Sequence, residues 1–280
     1  MLLLSYWRWA VTSLMPTSPS AYLDTELLLA HVLGLTRAQL HSQKLDLTLL
    51  PAQQAEINQL IERRKYGEPI AYLLGRQEFW SISLEVSSKV LIPRPETELL
   101  VQLILENYPI EQQKIVDLGT GSGAIAIALA IARPRWQIIA TDYSIDALQL
   151  AERNVRRYGI QNIELRQGDW CQALPASEKF DAIVSNPPYL SIDDPHLQTE
   201  CALAYEPKSA LISGKKGLND LEVIVKQSSE YLHDGGTLFL EHGYEQGEFV
   251  KQFFLKSWYQ HLKKYKDLAG HQRVSSGKWQ

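Results

Sequence analysis

The chain has only two cysteines, Cys171 and Cys201. That is too few for a disulfide framework or a cysteine-based zinc site, and it suits a reducing compartment such as the cytoplasm. No stretch approaches the run of about 18 uninterrupted apolar residues that marks a membrane span. The opening Met1-Leu-Leu-Leu-Ser-Tyr-Trp-Arg-Trp9 lacks a basic leader region, is interrupted by Arg8 and meets no small-residue cleavage site. It therefore reads as an amphipathic first helix and not as a signal peptide. A large excess of either charge is also missing: the net charge is −4 and the pI about 6.0, which excludes a bulk polyanion binder. There is no internal repeat or low-complexity tract. His196 and His242 have no partners at metal-ligand spacing, so they read as structural or loop histidines and no metal is expected.

What is present suits a globular enzyme. Hydrophobic residues make up 45% of the 280 positions and charged residues 21%, enough for one large or two smaller domains. The charge is unevenly spread. Residues 1–80 carry seven cations and seven anions, residues 81–250 are net −10, and residues 251–280 are net +6 with Asp267 as their one acid. The basic end reads as solvated surface or as a patch that steers an acidic partner. The first third is helical in pattern. Leu23, Leu27, Ala30 and Leu33 recur at helix spacing before Gly34, and Pro51 opens a second helix with Ile57, Leu60 and Ile61 on its apolar face. Arg63-Arg64-Lys65 at its end reads as dipole complement or as a partner-binding patch. From about residue 73 the pattern changes. Phe79 to Val86 alternates with period two and reads as a strand in a short β-rich connector. Pro95, followed by Glu96 and Glu98, opens a helix running to about Asn107. Strand-like runs then appear at Ile115–Leu118, Gln137–Thr141, Ile163–Arg166, Phe180–Ser185 and Thr237–Glu241, with helical stretches between the first four. One of these, Ile145 to Arg157, puts Ala147, Leu148, Ala151 and Val155 on one side. This alternation predicts an α/β fold, a parallel sheet with helices on both faces.

Two motifs carry chemistry. Asp117-Leu-Gly119-Thr-Gly121-Ser-Gly123 follows a strand and opens a helix, so its glycines let a ligand approach the backbone and a helix N-terminus. Asp142 ends the next strand, where an acid accepts hydrogen bonds from ribose hydroxyls. This loop fits a nicotinamide dinucleotide or S-adenosylmethionine and does not choose between them. The second motif, Asn186-Pro187-Pro188-Tyr189, lies just past an apolar strand. Its prolines stiffen the segment and remove backbone donors, leaving the Asn186 side-chain oxygen and the Pro187 carbonyl as acceptors for both hydrogens of an –NH2 group. Tyr189 can lie against the attached π-system. Such a cradle orients a poorly nucleophilic planar nitrogen and stabilises the charge that develops on it. Cys171, beside Trp170, reads as a neighbour of the pocket edge and not as a nucleophile.

The two motifs together resemble class I methyltransferases that modify planar nitrogens. Gly67-Glu-Pro-Ile-Ala-Tyr72, Glu78-Phe-Trp80, Ile92-Pro-Arg-Pro-Glu-Thr-Glu98, Gly168-Asp-Trp170 and Glu241-His-Gly243 narrow the resemblance to the release factor glutamine methyltransferase family. The resemblance implies a Rossmann-like, mostly parallel seven-stranded sheet with a small N-terminal helical domain and a β-hairpin connector. Its divisions fall at residues 1–72, substrate recognition; 73–90, connector; and 91–280, methyltransferase. It implies transfer of a methyl group from S-adenosylmethionine, leaving S-adenosylhomocysteine, to the N5 amide nitrogen of the glutamine in the GGQ motif of peptide chain release factors. By motif position Gly119, Thr120, Gly121, Ser122 and Gly123 line the methionine part of the cofactor, Asp142 binds the ribose, and Asp169 and Trp170 lie around the adenine. Asn186 touches cofactor and substrate. Asn186, Pro187, Pro188 and Tyr189 hold the glutamine amide, with Asn186, Pro187 and Tyr189 as the catalytic set. A cytoplasmic monomer that contacts neither nucleic acid nor membrane is expected. The alternatives are a glutamine methyltransferase of a large-subunit ribosomal protein, a nucleic-acid amino methyltransferase disfavoured by the −10 block, and a nicotinamide oxidoreductase, for which no hydride-transfer site is visible.

Overall fold

The structure, a computed structural model, describes residues 2–43, 47–108 and 111–280. The chain divides into two compact units, Met1–Arg76 with Pro195–Tyr205, and Gln77–Asp194 with Glu206–Gln280.

The first unit is helical: α1 (Leu3–Leu14), α2 (Ala21–Leu33), α3 (Arg37–Gln43), α4 (Pro51–Lys65) and α5 (Ile70–Leu74). Its core gathers Leu3, Tyr6, Leu14, Leu28, Leu29, Ile57 and Ile61 from α1, α2 and α4. Gly34 ends α2 with φ +65, and Pro51 opens α4. The basic run at the end of α4 is absorbed internally. Arg63 pairs with Glu68, Arg64 with the buried Asp24 at 2.7 Å, and Lys65 with Glu62 at 2.8 Å. Asp24 also accepts from the Ser18 and Ser20 hydroxyls, which offsets the cost of burying its charge. A later stretch belongs to the same unit. The Tyr205 hydroxyl donates to the Tyr66 carbonyl at 3.1 Å, and a Cβ on Gly67 would lie 2.7 Å from that of Cys201.

The second unit begins with a hairpin, β1 (Arg76–Phe79) and β2 (Ile82–Glu85). The run Phe79–Val86, expected as one strand, is broken at Trp80 and Ser81, which adopt φ 52 and 59. Two successive left-handed residues make the tight turn that joins twisted antiparallel strands. Trp80 hid the break, because it keeps an apolar residue in phase with Ile82 while Phe79 is the one buried. The Trp80 N–H donates to Glu98 at 2.8 Å, anchoring the turn.

The main sheet has seven strands: β3 (Lys114–Leu118), β4 (Gln137–Asp142), β5 (Ile163–Gln167), β6 (Phe180–Ser185), β7 (Leu232–Glu241), β8 (Gln260–Lys266) and β9 (Gln272–Lys278), in the order β5-β4-β3-β6-β7-β9-β8. The five strands from β5 to β7 are parallel, and β9 runs antiparallel to both β7 and β8. β3 and β6 read as near-continuous apolar runs because helices cover both their faces. After Pro95–Thr97, a single 3-10 turn, comes α6 (Glu98–Asn107). α7 (Ala124–Ala132) is apolar on nearly all sides and almost wholly buried. α8 (Ile145–Arg157) is amphipathic and buries Ala147, Leu148, Ala151 and Val155; the Ser144 hydroxyl caps it by accepting from the Ala147 N–H at 3.2 Å. Asn154 of α8 bonds Glu85 of the hairpin and the Ser122 carbonyl, tying β2 to the glycine loop. His242 is buried with its ring nitrogens against the Gly243 carbonyl and the Ser275 hydroxyl, both at 2.8 Å. Cys171 is buried too, which pushes its thiol up to about 12. Among the described residues no helix is long and apolar enough to cross a membrane.

Candidate active site

The register of two strands brings the motifs together. β3 and β6 pair in parallel with Leu118 opposite Ser185, and the Ser185 hydroxyl donates to the Leu118 carbonyl at 2.8 Å. The chain continues from β3 to one side of the sheet and from β6 to the other, so this pair is the switch point where open α/β sheets bind ligands. Gly119 follows Leu118, and Asn186 follows Ser185. The glycine loop and the planar-nitrogen motif therefore start side by side.

The loop is shaped by backbone that only glycine adopts freely: φ is +71 at Gly119, +56 at Gly121 and +85 at Gly123. A Cβ on Gly119 would lie 3.1 Å from Trp170 Cζ3, so the indole closes over the loop. Trp170 is held by its own N–H, which donates to Asp220 at 3.2 Å; Asp220 also accepts from the Ser213 hydroxyl at 2.6 Å. Asp142, at the end of β4, accepts from the Gly121 and Ser144 N–H groups, each at 2.9 Å. Burial raises its pKa and those two bonds oppose the rise. Asp117 lies beneath the loop, accepting from the Thr120 hydroxyl at 2.7 Å and the Ala126 N–H at 3.3 Å, and burial pushes it up to about 7.

A cleft of about 260 Å³ opens over this floor. Gly119, Thr120, Gly121, Ser122, Asp142, Asp169, Trp170, Asn186 and Pro188 line it. Gly123, Pro187 and Tyr189 lie outside the lining. Gly123 starts α7 and packs against Ile127 and Ala151. Pro187 is buried. Tyr189 packs on the apolar core under β6 and β7, its carbonyl accepts from Gln246 at 2.9 Å, and burial raises its phenol. The Asn186 amide has one half committed and one half free: Nδ2 donates to the Thr97 hydroxyl at 2.9 Å, while Oδ1 is buried with no partner among the described residues.

Other lining residues carried no role in the sequence reading. Arg94 binds the buried Glu206 carboxylate, which also accepts from the Ile92 N–H at 3.1 Å. Thr97 is almost fully buried at the cleft floor. Tyr143 stands exposed beside Asp142. Arg94 and Thr97 lie in the Ile92–Glu98 stretch and Tyr143 next to the strand-end acid, so position was the available signal. The groups on hand suit a nucleoside-bearing cofactor: a fixed carboxylate for a diol, an open glycine backbone, an indole, and a buried acceptor waiting for an N–H.

Comparison with known proteins agrees with this geometry. The Methyltransferase small domain matches residues 95–217, and the PrmC N-terminal domain matches residues 5–75. A release factor glutamine methyltransferase from Coxiella burnetii is 45% identical over 258 residues, 92% of this chain and 91% of its own. The Escherichia coli protein of the same name is 43% identical over 274 residues, 98% of each chain. A solved methyltransferase structure from Pyrococcus furiosus, 19% identical, covers 82% of this chain and 98% of its own with a TM-score of 0.53, a likeness of fold.

Proposed function

We infer the reaction from one premise: the chain belongs to the release factor glutamine methyltransferase family. It is a methyltransferase that modifies the glutamine of peptide chain release factors, at N5 of the side chain in the GGQ motif, with S-adenosylmethionine as donor. Relatives similar over nearly the full chain favour this over a ribosomal-protein or nucleic-acid substrate. A release-factor substrate supports a cytoplasmic enzyme.

The cofactor supplies an electrophilic methyl group on a sulfonium, and the residues present fit it. Asp142 takes the ribose hydroxyls, Gly119 to Gly123 the methionine part, and Trp170 with Asp169 the adenine. The observation that carries the reading is Asn186 Oδ1, a buried acceptor without a partner among the described residues, on a residue that lines the cleft at the switch point. Leaving such a group unpaired costs about 1–3 kcal/mol, a cost that a ligand N–H at this atom would offset. Asn186 Oδ1 accepts one N–H of the substrate carboxamide and the Pro187 carbonyl accepts the other. With the cofactor bound, the two acceptors would fix the plane of the amide and orient its nitrogen, and would stabilise the positive charge on nitrogen until one N–H proton is lost as the sulfonium S–C bond gives way to leave S-adenosylhomocysteine. Tyr189 supports the cradle from the core side. The helical unit supplies the surface that selects a release factor over free glutamine.

The test is methyl transfer from labelled S-adenosylmethionine to a purified release factor, with the modified residue mapped by mass spectrometry. Label on the GGQ glutamine is expected. Asn186→Ala should keep S-adenosylhomocysteine binding and lose about 10²- to 10³-fold in turnover. Wild-type turnover in that variant would sink the mechanism.

A further inference from the structure

The Trp170 indole walls the cleft from a backbone that does not favour it. Trp170 opens the 3-10 turn Trp170–Ala173 with φ 48, in the left-handed region that residues other than glycine avoid. Its ring lies so close over Gly119 that a Cβ there would stand 3.1 Å from Cζ3. A half-buried side chain on such a backbone keeps one orientation only where its surroundings hold it.

The helix Asn219–Ser228 holds it at two points. The Cys171 N–H donates to the Gln227 side chain at 3.2 Å, and the Trp170 indole N–H donates to Asp220 Oδ1 at 3.2 Å in the first turn of the helix. Gln227 and Asp220 lie about 10 Å apart along the helix, so backbone and ring are fixed separately. Leu221, Ile224 and Val225 are buried in the core, which sets the rotation of the helix and leaves Asp220 at the rim of the cleft.

An indole has one donor and no acceptor. Asp220 therefore fixes the polar edge of the ring while Gly119 leaves room for its face. Asp220 has little freedom of its own. Its Oδ2 accepts from the Ser213 hydroxyl at 2.6 Å, and the Ser213 oxygen accepts from the Asp220 N–H at 2.8 Å. Ser213 is 1% exposed, and its N–H donates at 2.9 Å to the carbonyl of Leu190, the residue after Tyr189. The anchor of the ring thus ends on the chain that leaves the Asn186–Tyr189 segment.

We propose that Asp220, oriented by Ser213, is a positioning residue that sets the Trp170 indole as the wall against which the adenine of the cofactor packs. Asp220 acts through the ring and not on the ligand, since each of its oxygens already serves a protein group. The proposal rests on the cofactor reading above. It adds the residues that make the wall rigid before the ligand arrives, which lowers the ordering cost of binding.

Titration calorimetry of the full chain with S-adenosylhomocysteine tests it. Asp220→Ala should raise Kd by about 5- to 30-fold, part of the loss that removing a stacked aromatic causes. Asp220→Asn, which keeps an acceptor for the indole, should stay within about threefold of wild type. The decisive arm is a double-mutant cycle with Trp170→Phe, which removes the indole N–H. In that background Asp220→Ala should change Kd by less than about twofold, because nothing remains for Asp220 to hold. Equal losses in both backgrounds mean that Asp220 touches the ligand itself and overturn the proposal. A wild-type Kd in Asp220→Ala overturns it too. Should Asp220→Ala lose its cooperative thermal transition, Asp220→Ser, which keeps a polar group at the helix start but is too short to reach the indole, carries the same cycle. A wild type that does not bind S-adenosylhomocysteine overturns the cofactor reading instead.

Discussion

Asp117 is a carboxylate buried in the floor of the glycine loop. Asp117 has no countercharge among its hydrogen-bond partners, and burial moves its pKa from the ordinary 3.8 to about 7. An acid whose pKa is higher folded than unfolded binds more protons in the folded state between those two values. Its contribution to stability is therefore full below about pH 4 and is lost as the pH rises through about 7. Asp117→Asn removes that titration. The Tm of wild type relative to Asp117→Asn should fall between pH 4 and pH 7, measured by thermal unfolding at pH intervals; parallel curves would refute it. The partners of Asp117 show which residue roles are legible in sequence. Thr120 and Ala126 lie three and nine positions away, inside one strand–loop–helix motif. Asn186 and Thr97 are 89 apart, so their hydrogen bond depends on tertiary packing that no local pattern encodes.

Elements with strong periodicity were readable, and those set by turns or edges were not. The central strands and the apolar face of α8 follow directly from residue pattern, as does the placing of both motifs at strand ends. β8 did not: Lys263 and Lys266 lie exposed on it, and polar lysines mask a strand while guarding a sheet edge against pairing with another chain. That gives part of the +6 end a structural use, and Lys264 and Arg273 are already paired with Glu248 and Asp267. The hairpin turn was hidden because Ser81 is not a residue type that advertises φ 59. Ser81 is exposed, so Ser81→Gly relieves the strain and leaves the packing around the turn as it is. It should raise stability by about 0.5–1 kcal/mol in urea unfolding, the left-handed penalty less the extra entropy of glycine. An unchanged or lower midpoint would contradict this account of the turn.

At the scale of the molecule, each unit has its own apolar core, and among the described residues no core residue is shared between them. Every residue lining the cleft belongs to the second unit. Removing residues 1–72 should therefore leave S-adenosylhomocysteine affinity within about threefold while weakening release-factor binding by about tenfold or more, both measured by titration calorimetry. Equal losses in both would contradict the division of labour. The helical pattern of the sequence ends near residue 73. The grouping of Pro195–Tyr205 with the helical unit has no such local signal, because its fit there depends on single contacts such as Gly67 against Cys201. That grouping has a consequence for engineering and for descent. The helical unit is not a detachable prefix. A chimaera that grafts a relative's first 76 residues onto this chain keeps a mismatched patch at 195–205, so a working exchange has to transplant both pieces together. Inheritance faces the same constraint, and the two stretches are expected to drift in concert although more than a hundred residues separate them in the gene.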